Sequence, residues 1–509
     1  MEILVTGATG YIASRLIPRL LERGHRARLL ARDPRRLDGR VWRASTEVFP
    51  GDVTSPSALA PALEGVHTAY YLVHNMSSGR GYTERELVGA RNFARAAEEA
   101  GVRHIIYLGG LADPEQRIAP HLRSRIETGA TLRQGRVPVT EFRAGVIVGS
   151  GSISFEMIRF ITELFPVIPG PTWLRNKSQP IATQNVIDYL LAALDNGDGH
   201  GQVFEIGGPE VATYADLMLR YARLRGLKRR FLLLPFLPLW FMALGIDLMT
   251  PVPRPIAYAL VGGLGDDSVV LHPDAPRVFP EVKLLDFDSA AREALTHLHP
   301  SRIERVWEDG ARPAKSLKHE GFFIEHREIQ TDASPEQIFR VLTNMGGQNG
   351  WPFANWLWKL RGWIDRVVSP RRHGDTEATS VIARRSREAA TTKQSPLGAR
   401  GLLRAENHRP RNDETPTQPG DTVDYYTVDS FEPDQHLLLH SDLRAPGEGW
   451  MEWRVAQIAN LTYLKQTAYF APRGLGGFIY WYTLRPFHQF VFRGLIEAIA
   501  KKANEQIGK

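Results

Sequence analysis

Cysteine is absent from the chain. Its absence excludes disulfides, thiolate metal sites, iron–sulfur clusters and cysteine nucleophiles. It also fits a reducing compartment, and a cytoplasmic location is expected. Sixteen histidines occur without an HExxH or comparable spacing, so no metal site is expected. A GxSxG nucleophile elbow and a Walker phosphate loop are missing too. The first residues enter an apolar strand pattern without the basic region, apolar core and cleavage site of a secretion signal, and none is expected. Charge of one sign is scarce: 63 basic residues face 56 acidic ones, and the net +7 is spread along 509 residues. Such a mild excess favours phosphate ligands or anionic surfaces. No helix-turn-helix, zinc finger or aromatic RNA-binding platform accompanies it, so no nucleic-acid partner is expected.

What is present is an ordinary globular composition, 43% hydrophobic and 23% charged, in a chain too long for one core. Two domains are expected, at 1–312 with a substrate lobe over about 207–312, and at 320–509, joined by a linker at Ala311 to His319. To about Leu194, short apolar runs alternate with helical patterns, which signals βαβ units and a parallel sheet. The strands read as Ile3 to Thr6, Ala27 to Ala31, Glu47 to Phe49, Thr68 to Val73, His104 to Leu108 and Val139 to Ile147, with a later one at Val203 to Ile206. A helix from Thr83 to Ala100 carries Leu87, Phe93 and Ala97 on one face and stops at Gly101. The most hydrophobic stretch, Phe231 to Met249, makes a poor membrane span, because Pro235 and Pro238 break it and Asp247 charges it. It reads as a buried or substrate-facing lobe, with peripheral membrane contact through 231–249 as the alternative, at the inner face of the membrane.

After the first strand comes Thr6-Gly7-Ala8-Thr9-Gly10-Tyr11-Ile12-Ala13 and then a helical run that stops at Gly24. A glycine turn between a strand and a helix, opening a βαβ unit, is where a dinucleotide's pyrophosphate is received. Gly7 permits the tight turn, Gly10 the backbone approach, and Ala13 stands at the third glycine position. Thr6, Gly7, Thr9, Gly10, Tyr11 and Ile12 are therefore candidate cofactor-binding residues. Arg32 ends strand two and Arg36 follows one turn later, which suits the 2′-phosphate of NADP(H) over NAD(H). Asp33, the competing carboxylate, precedes Pro34 and also reads as a helix N-cap.

TGATGYIA, Gly51-Asp52-Val53 and IIYLGGL fall in an order and spacing that resembles the short-chain dehydrogenase/reductase superfamily in its atypical, NmrA-like branch, over about residues 1 to 220. The resemblance implies that Asp52 and Val53 lie near the adenine, that Val73, His74 and Asn75 border the ribose, and that Gly145 to Ser150 approach the nicotinamide. AYYLVHNM, HLRSRIETG, GSGSISFEM and WYTLRPFHQF extend the likeness to a bacterial two-domain family whose second domain, of unknown function, is related to the START-like SRPBCC helix-grip fold. The fold class implied is a Rossmann doubly wound parallel sheet followed by an α+β antiparallel-sheet domain. Asp332 to Gln337 reads as a strand exit and capped helix start, Asp421 to Phe470 as strands, and Phe487 to Gln506 as a closing helix. The polar stretch 385–420 reads as a mobile loop. Seven of eleven tryptophans lie beyond residue 350, so an apolar cavity walled by Trp351, Trp356, Trp358 and Trp453 is expected.

Reductases of that superfamily carry a Tyr-x-x-x-Lys pair on the helix after strand five. Here the matching place reads His121-Leu122-Arg123-Ser124-Arg125. His121 and Arg125 are the candidate catalytic pair, the imidazole donating to a developing alkoxide and the guanidinium bonding ribose hydroxyls. The alternative is that His121 caps a helix or positions the cofactor without proton transfer. Tyr107 and Tyr82 are reserve acids, Tyr107 in a core-strand pattern. Three functions stay open: an NADP(H)-dependent oxidoreductase acting on a carbonyl or alkene of a hydrophobic molecule, a non-enzymatic NADP(H) sensor, and a lipid-binding membrane-surface assembly protein.

Overall fold

The computed structural model describes residues 1–38, 40–74, 81–113, 118–234, 237–250, 252, 254–303, 317–368, 418–458 and 461–505. Asn75, the linker at 311–316 and the polar stretch 385–417 lie outside the described residues. The chain divides into two compact units, Met1–Pro313 with His319–Gly321 and Ala314–Lys318 with Phe322–Lys509.

In the first unit the apolar runs become β1 (Glu2–Thr6), β2 (Arg26–Ala31), β3 (Thr46–Pro50), β4 (Thr68–Tyr71), β5 (His104–Gly110), β6 (Val139–Ala144) and β7 (Val203–Ile206). They form one sheet in the order β7-β6-β5-β4-β1-β2-β3, parallel throughout. Ile3, Leu4, Val5, Ile105 and Ile106 have no solvent exposure. Burial on both faces is why these strands read as unbroken apolar runs. The helices between them are α1 (Tyr11–Glu22), α2 (Pro56–Leu63), α3 (Tyr82–Glu99), α4 (Pro120–Leu132), α5 (Ile153–Leu164) and α6 (Thr183–Asp195). Along α1, Ala13, Leu16, Ile17 and Leu20 are buried at helical spacing. The strand order reverses between β1 and β4, and ligands of open α/β sheets bind beyond the carboxyl ends of the strands at such a reversal.

Two strands end earlier than the apolar pattern. β4 stops at Tyr71 because Thr6 Oγ1 takes its continuation: it donates to Tyr70 O at 3.0 Å and accepts from Leu72 N at 3.1 Å. β6 stops at Ala144, and Ile147–Val148 pairs separately with Ile181–Ala182.

The stretch 231–249 splits. Arg230–Leu234 pairs in parallel with Val167–Pro171, and Leu239–Met249 forms α8, after α7 (Tyr214–Leu224) and before α9 (Arg254–Gly262). On α8, Ala243 and Ile246 pack with Met157, Ile256 and Val261, while Trp240, Phe241 and Leu248 are exposed. No helix among the described residues is long and apolar enough to cross a membrane.

The second unit holds a seven-stranded sheet. Its members are β8 (Leu317–His319), β9 (Phe322–Thr331), β10 (Thr422–Val423), β11 (Tyr426–Glu432), β12 (His436–Ser441), β13 (Gly447–Ile458) and β14 (Leu461–Pro472), in the order β8-β9-β14-β13-β12-β11-β10. The pairings from β9 onward are antiparallel. After α10 (Phe287–Thr296) of the first unit, the helices here are α11 (Pro335–Thr343), α12 (Asn355–Val368) and α13 (Gly474–Asn504). Ser334 and Gln337 form a full capping box on α11. The closing helix α13 starts at Gly474, well before the expected Phe487, and carries Pro486 in its interior. Buried Trp481 stacks on Phe323 and buried Phe478 meets the same ring edge-on, which holds the additional turns against the sheet.

Trp453 joins the sheet to α13. It is wholly buried, its Nε1 donates to Gln466 Oε1 at 3.1 Å, and Gln466 Nε2 donates to Phe492 O at 2.9 Å. Trp453→Ala should cost about 3–5 kcal/mol, the usual range for emptying a large aromatic site. Hydrogen–deuterium exchange should show protection lost over 447–472 and kept over 1–110; unchanged protection at 447–472 would show that the indole does not hold the sheet.

Candidate functional site

The turn between β1 and α1 is built on Gly7, whose φ of +66° belongs to the left-handed region. A Cβ there would collide with the carbonyl oxygen of Leu72, so only glycine lets this turn lie against the exit of β4. Gly10 N–H closes onto Gly7 O at 2.7 Å. Gly10 is also the N-cap of α1 and supplies no side-chain cap. The first-turn amides of a helix have no partner within it, and with no side-chain cap they form a receptor for an anion. Ala13, only 1% exposed, fills the third glycine position in the core. These features fit a dinucleotide's pyrophosphate at Gly7 to Ile12.

Thr6 itself is spent on the β1–β4 clamp and is fully buried. Thr9 sits half-buried in the turn. At the end of β2, Arg32 is exposed and its Nε lies 3.9 Å from Asp52 Oδ2. Asp33 caps a short 3-10 turn, Pro34–Leu37, and binds Arg35 through Nε at 2.9 Å and Nη2 at 2.9 Å. Those bonds hold its carboxyl below the usual range. The carboxylate is thus used locally, and Arg36 on the same turn is half-buried. Asp52 Oδ1 accepts from Thr54 N at 2.9 Å and Thr54 Oγ1 at 2.8 Å. Val53 is a core residue, and Val73 packs at the edge of the same cluster.

A pocket of about 380 Å³ begins at this turn. Gly10, Tyr11, Ile12, His74, His121 and Arg125 line one part of it. The lobe supplies the other part, through Tyr214, Met218, Ile256 and Leu260, together with Met157 of α5. His121 and Arg125 are therefore brought together with the phosphate turn, whereas Thr6, Gly7, Thr9, Arg32, Arg36, Asp52, Val53 and Val73 lie outside the pocket's lining. His121 is 5% exposed and its Nδ1 has no hydrogen-bond partner. Burial, reinforced by the Arg125 charge, lowers its pKa to about 4. His74 is likewise held neutral, by burial and then by Arg125. Tyr107 is core: its hydroxyl donates to Arg125 O at 2.8 Å and burial pushes its pKa up. The Tyr82 side chain lies outside the described residues.

Three features escaped sequence reasoning. Tyr11 Oη lies 2.8 Å from Thr183 Oγ1, which ties the phosphate turn to α6. Ser124, between His121 and Arg125, donates to the buried Glu86 of α3. Gly263, just past α9, lies so close to His121 that a Cβ would stand 2.7 Å from the imidazole Cε1. Only the helical spacing of Ser124 with His121 and Arg125 was readable locally.

The second unit holds its own cavity of about 400 Å³, between α12, α13 and the sheet. Of the four expected tryptophans only Trp358 lines it, together with Trp450 and Trp481. Trp351 stacks behind Trp358 with ring centres 4.2 Å apart, Trp453 is in the core, and Trp356 is 66% exposed.

Two outcomes follow from this geometry. Gly7→Ala should abolish the thermal stabilisation that NADPH confers, since its Cβ must push β4 away from the turn; undiminished stabilisation would misplace the phosphate site. In the folded chain His121 should stay neutral down to about pH 5 and titrate near 4 by imidazole NMR. Because its folded pKa lies below the unfolded value, its contribution to stability is lost as pH falls from about 6.5 to 4. A midpoint near 6.5 would contradict the burial argument.

Residues 7–130 match the family model described as NAD(P)H-binding, and residues 319–495 match that described as a protein of unknown function, DUF2867. The chain is 25% identical over 236 residues to photosystem II assembly factor Ycf39 of Cyanophora paradoxa, covering 44% of this chain and 69% of that protein. It is 30% identical over 116 residues to the 3 beta-hydroxysteroid dehydrogenase/Delta 5-->4-isomerase of Mycobacterium tuberculosis, covering 21% of this chain and 30% of that protein. Among solved structures, the NADPH complex of an NADPH-dependent quinone oxidoreductase from Escherichia coli is 20% identical, covers 58% of this chain and 99% of that one, and superposes with a TM-score of 0.45. The chain therefore joins an NAD(P)H-binding Rossmann domain to a second domain that matches the DUF2867 family.

Proposed function

We propose that the protein is an NADP(H)-dependent oxidoreductase of the atypical, NmrA-like type, acting on a carbonyl or alkene of a hydrophobic molecule. The observation that carries this reading is the continuity of one pocket from the phosphate turn, past His121 and Arg125, to an apolar lobe. When bound, NADP(H) supplies the hydride equivalent. Gly7 to Ile12 would hold its pyrophosphate, and Arg32 and Arg36 would pair with the 2′-phosphate in charge-assisted hydrogen bonds. The local use of Asp33 removes the carboxylate that would otherwise favour a free 2′-hydroxyl.

With a pKa lowered to about 4, His121 acts as a neutral imidazole at pH 7. Its N–H donates a hydrogen bond to the substrate oxygen, and Arg125 adds positive charge where negative charge develops. Met157 of α5 and the lobe residues Met218, Ile256 and Leu260 exclude water from the reacting end. The second domain, read as a helix-grip fold, helps to hold the apolar substrate in its cavity.

A second reading, an NADP(H) sensor without catalysis, is favoured by the same imidazole, since a group with a pKa near 4 is a poor proton source at neutral pH. The exposed Trp240, Phe241 and Leu248 support the third, a membrane-surface role. Deuteride transfer separates the readings. With 4-deuterated NADPH and a panel of quinones, apolar ketones and enones, the reductase reading expects deuterium in a product by mass spectrometry; bound NADPH with no transfer to any of them would leave the sensor. By calorimetry NADPH should bind at least tenfold more tightly than NADH, and Arg32→Ala should narrow that ratio. Equal affinities in the unaltered protein would overturn the cofactor assignment.

A further inference from the structure

The second unit's cavity is apolar over most of its wall, through residues such as Met451, Ala468, Phe470, Trp481, Val491 and Phe492. Its volume of about 400 Å³ is in the range of small-molecule sites, roughly 300–1,000 Å³. Its polar groups are few and under-used. Tyr425 Oη and His488 Nδ1 are both buried and have no hydrogen-bond partner. A buried polar group left unpaired is costly, and a ligand that pairs it recovers that cost. Among the described residues, Arg361, also in the wall, hydrogen-bonds the Tyr480 hydroxyl at 3.2 Å and lies over the Tyr480 ring. Among the described residues no carboxylate pairs with it.

The charged neighbours that act on His488 are positive. Arg327, which does not itself line the cavity, pairs with Glu325 at 3.3 Å. Asp424, beside Tyr425, is already taken by Trp351 Nε1 at 2.8 Å and Gly347 N at 3.0 Å. Arg485 on α13 has a buried Nε without a partner. Burial, with the field of Arg327 and Arg361 added, lowers the His488 pKa to about 4, so the imidazole is neutral at pH 7. Burial keeps the Tyr425 phenol protonated as a donor. The mouth between α12 and α13 is rimmed by exposed Leu360, Ile364 and Phe487, which gives an apolar tail a path inward.

We propose that this cavity binds a long-chain amphiphile with an anionic carboxylate head, the guanidinium of Arg361 pairing with the carboxylate, Tyr425 donating to it, and the apolar wall covering the tail. The assignment rests on the reading that the second domain holds an apolar molecule, and it is independent of hydride transfer in the first.

Oleate, methyl oleate and oleyl alcohol, each below its aggregation threshold, would be titrated into the full-length protein while tryptophan fluorescence is followed, since Trp358, Trp450 and Trp481 line the cavity. Oleate should bind at least tenfold more tightly than the ester or the alcohol. Arg361→Gln should remove that preference and leave the ester affinity unchanged, Arg361→Lys should keep most of it, and Tyr425→Phe should weaken oleate several-fold. NADPH binding, measured on the same samples, should be unaffected in all three variants and so reports on folding separately. Equal affinities for acid and ester would overturn the carboxylate assignment, as would a preference that survives Arg361→Gln. Binding of none of the three would overturn the cavity's role in holding an apolar molecule, whatever the outcome for deuteride transfer.

Discussion

The candidate active site depends on one close approach, that of Gly7 to the carbonyl oxygen of Leu72. With φ at +66° the chain leaves β1, turns, and delivers Gly10 as a cap without a side chain. Thr6 secures the same junction from the other side by bonding both Tyr70 and Leu72. The exit of β4, and with it His74, is thereby fixed beside the helix terminus that receives the phosphates. A larger residue at Gly7 would separate β1 from β4 at the reversal of strand order, where the sheet opens its ligand crevice.

Both pockets share an electrostatic device. In the first, burial and Arg125 hold His121 neutral; in the second, burial with Arg327 and Arg361 does the same to His488. A neutral imidazole in a positive field can donate or accept a hydrogen bond without carrying a charge that burial would penalise. The positive field then remains available to negative charge on a ligand, an oxygen gaining charge in the first pocket and a carboxylate head in the second. Neither arrangement suits a ligand that is itself cationic.

Much of the first unit was legible because parallel strands buried on both faces write themselves as short apolar runs. The phosphate turn was legible because its glycines answer a local backbone need, and Asp33-Pro34 was readable as a cap for the same reason. What stayed hidden was contact between distant segments. Gly263 against His121 and Tyr11 against Thr183 join residues more than a hundred positions apart, and no local pattern encodes such a meeting. In the second unit tryptophan enrichment located an aromatic cavity but, of its four expected walls, only Trp358. Helical spacing places Trp356 on the face of Leu360 and Trp363, and nothing in that spacing tells which face is covered; the structure leaves all three exposed. Pro486 hid the start of α13 because a proline ordinarily opens a helix or breaks one, whereas packing of Phe478 and Trp481 carries this helix through it.

The central claim is that Gly7 to Ile12, His121 and the lobe form a single NADP(H) and substrate site. A crystal structure of the full-length protein grown with NADPH tests it most directly. The account predicts the pyrophosphate on the amides that open α1, the 2′-phosphate beside Arg32 and Arg36, and the nicotinamide facing His121 at the entrance to the apolar lobe. A cofactor seated elsewhere, or one whose nicotinamide points away from His121 and the lobe, would contradict it.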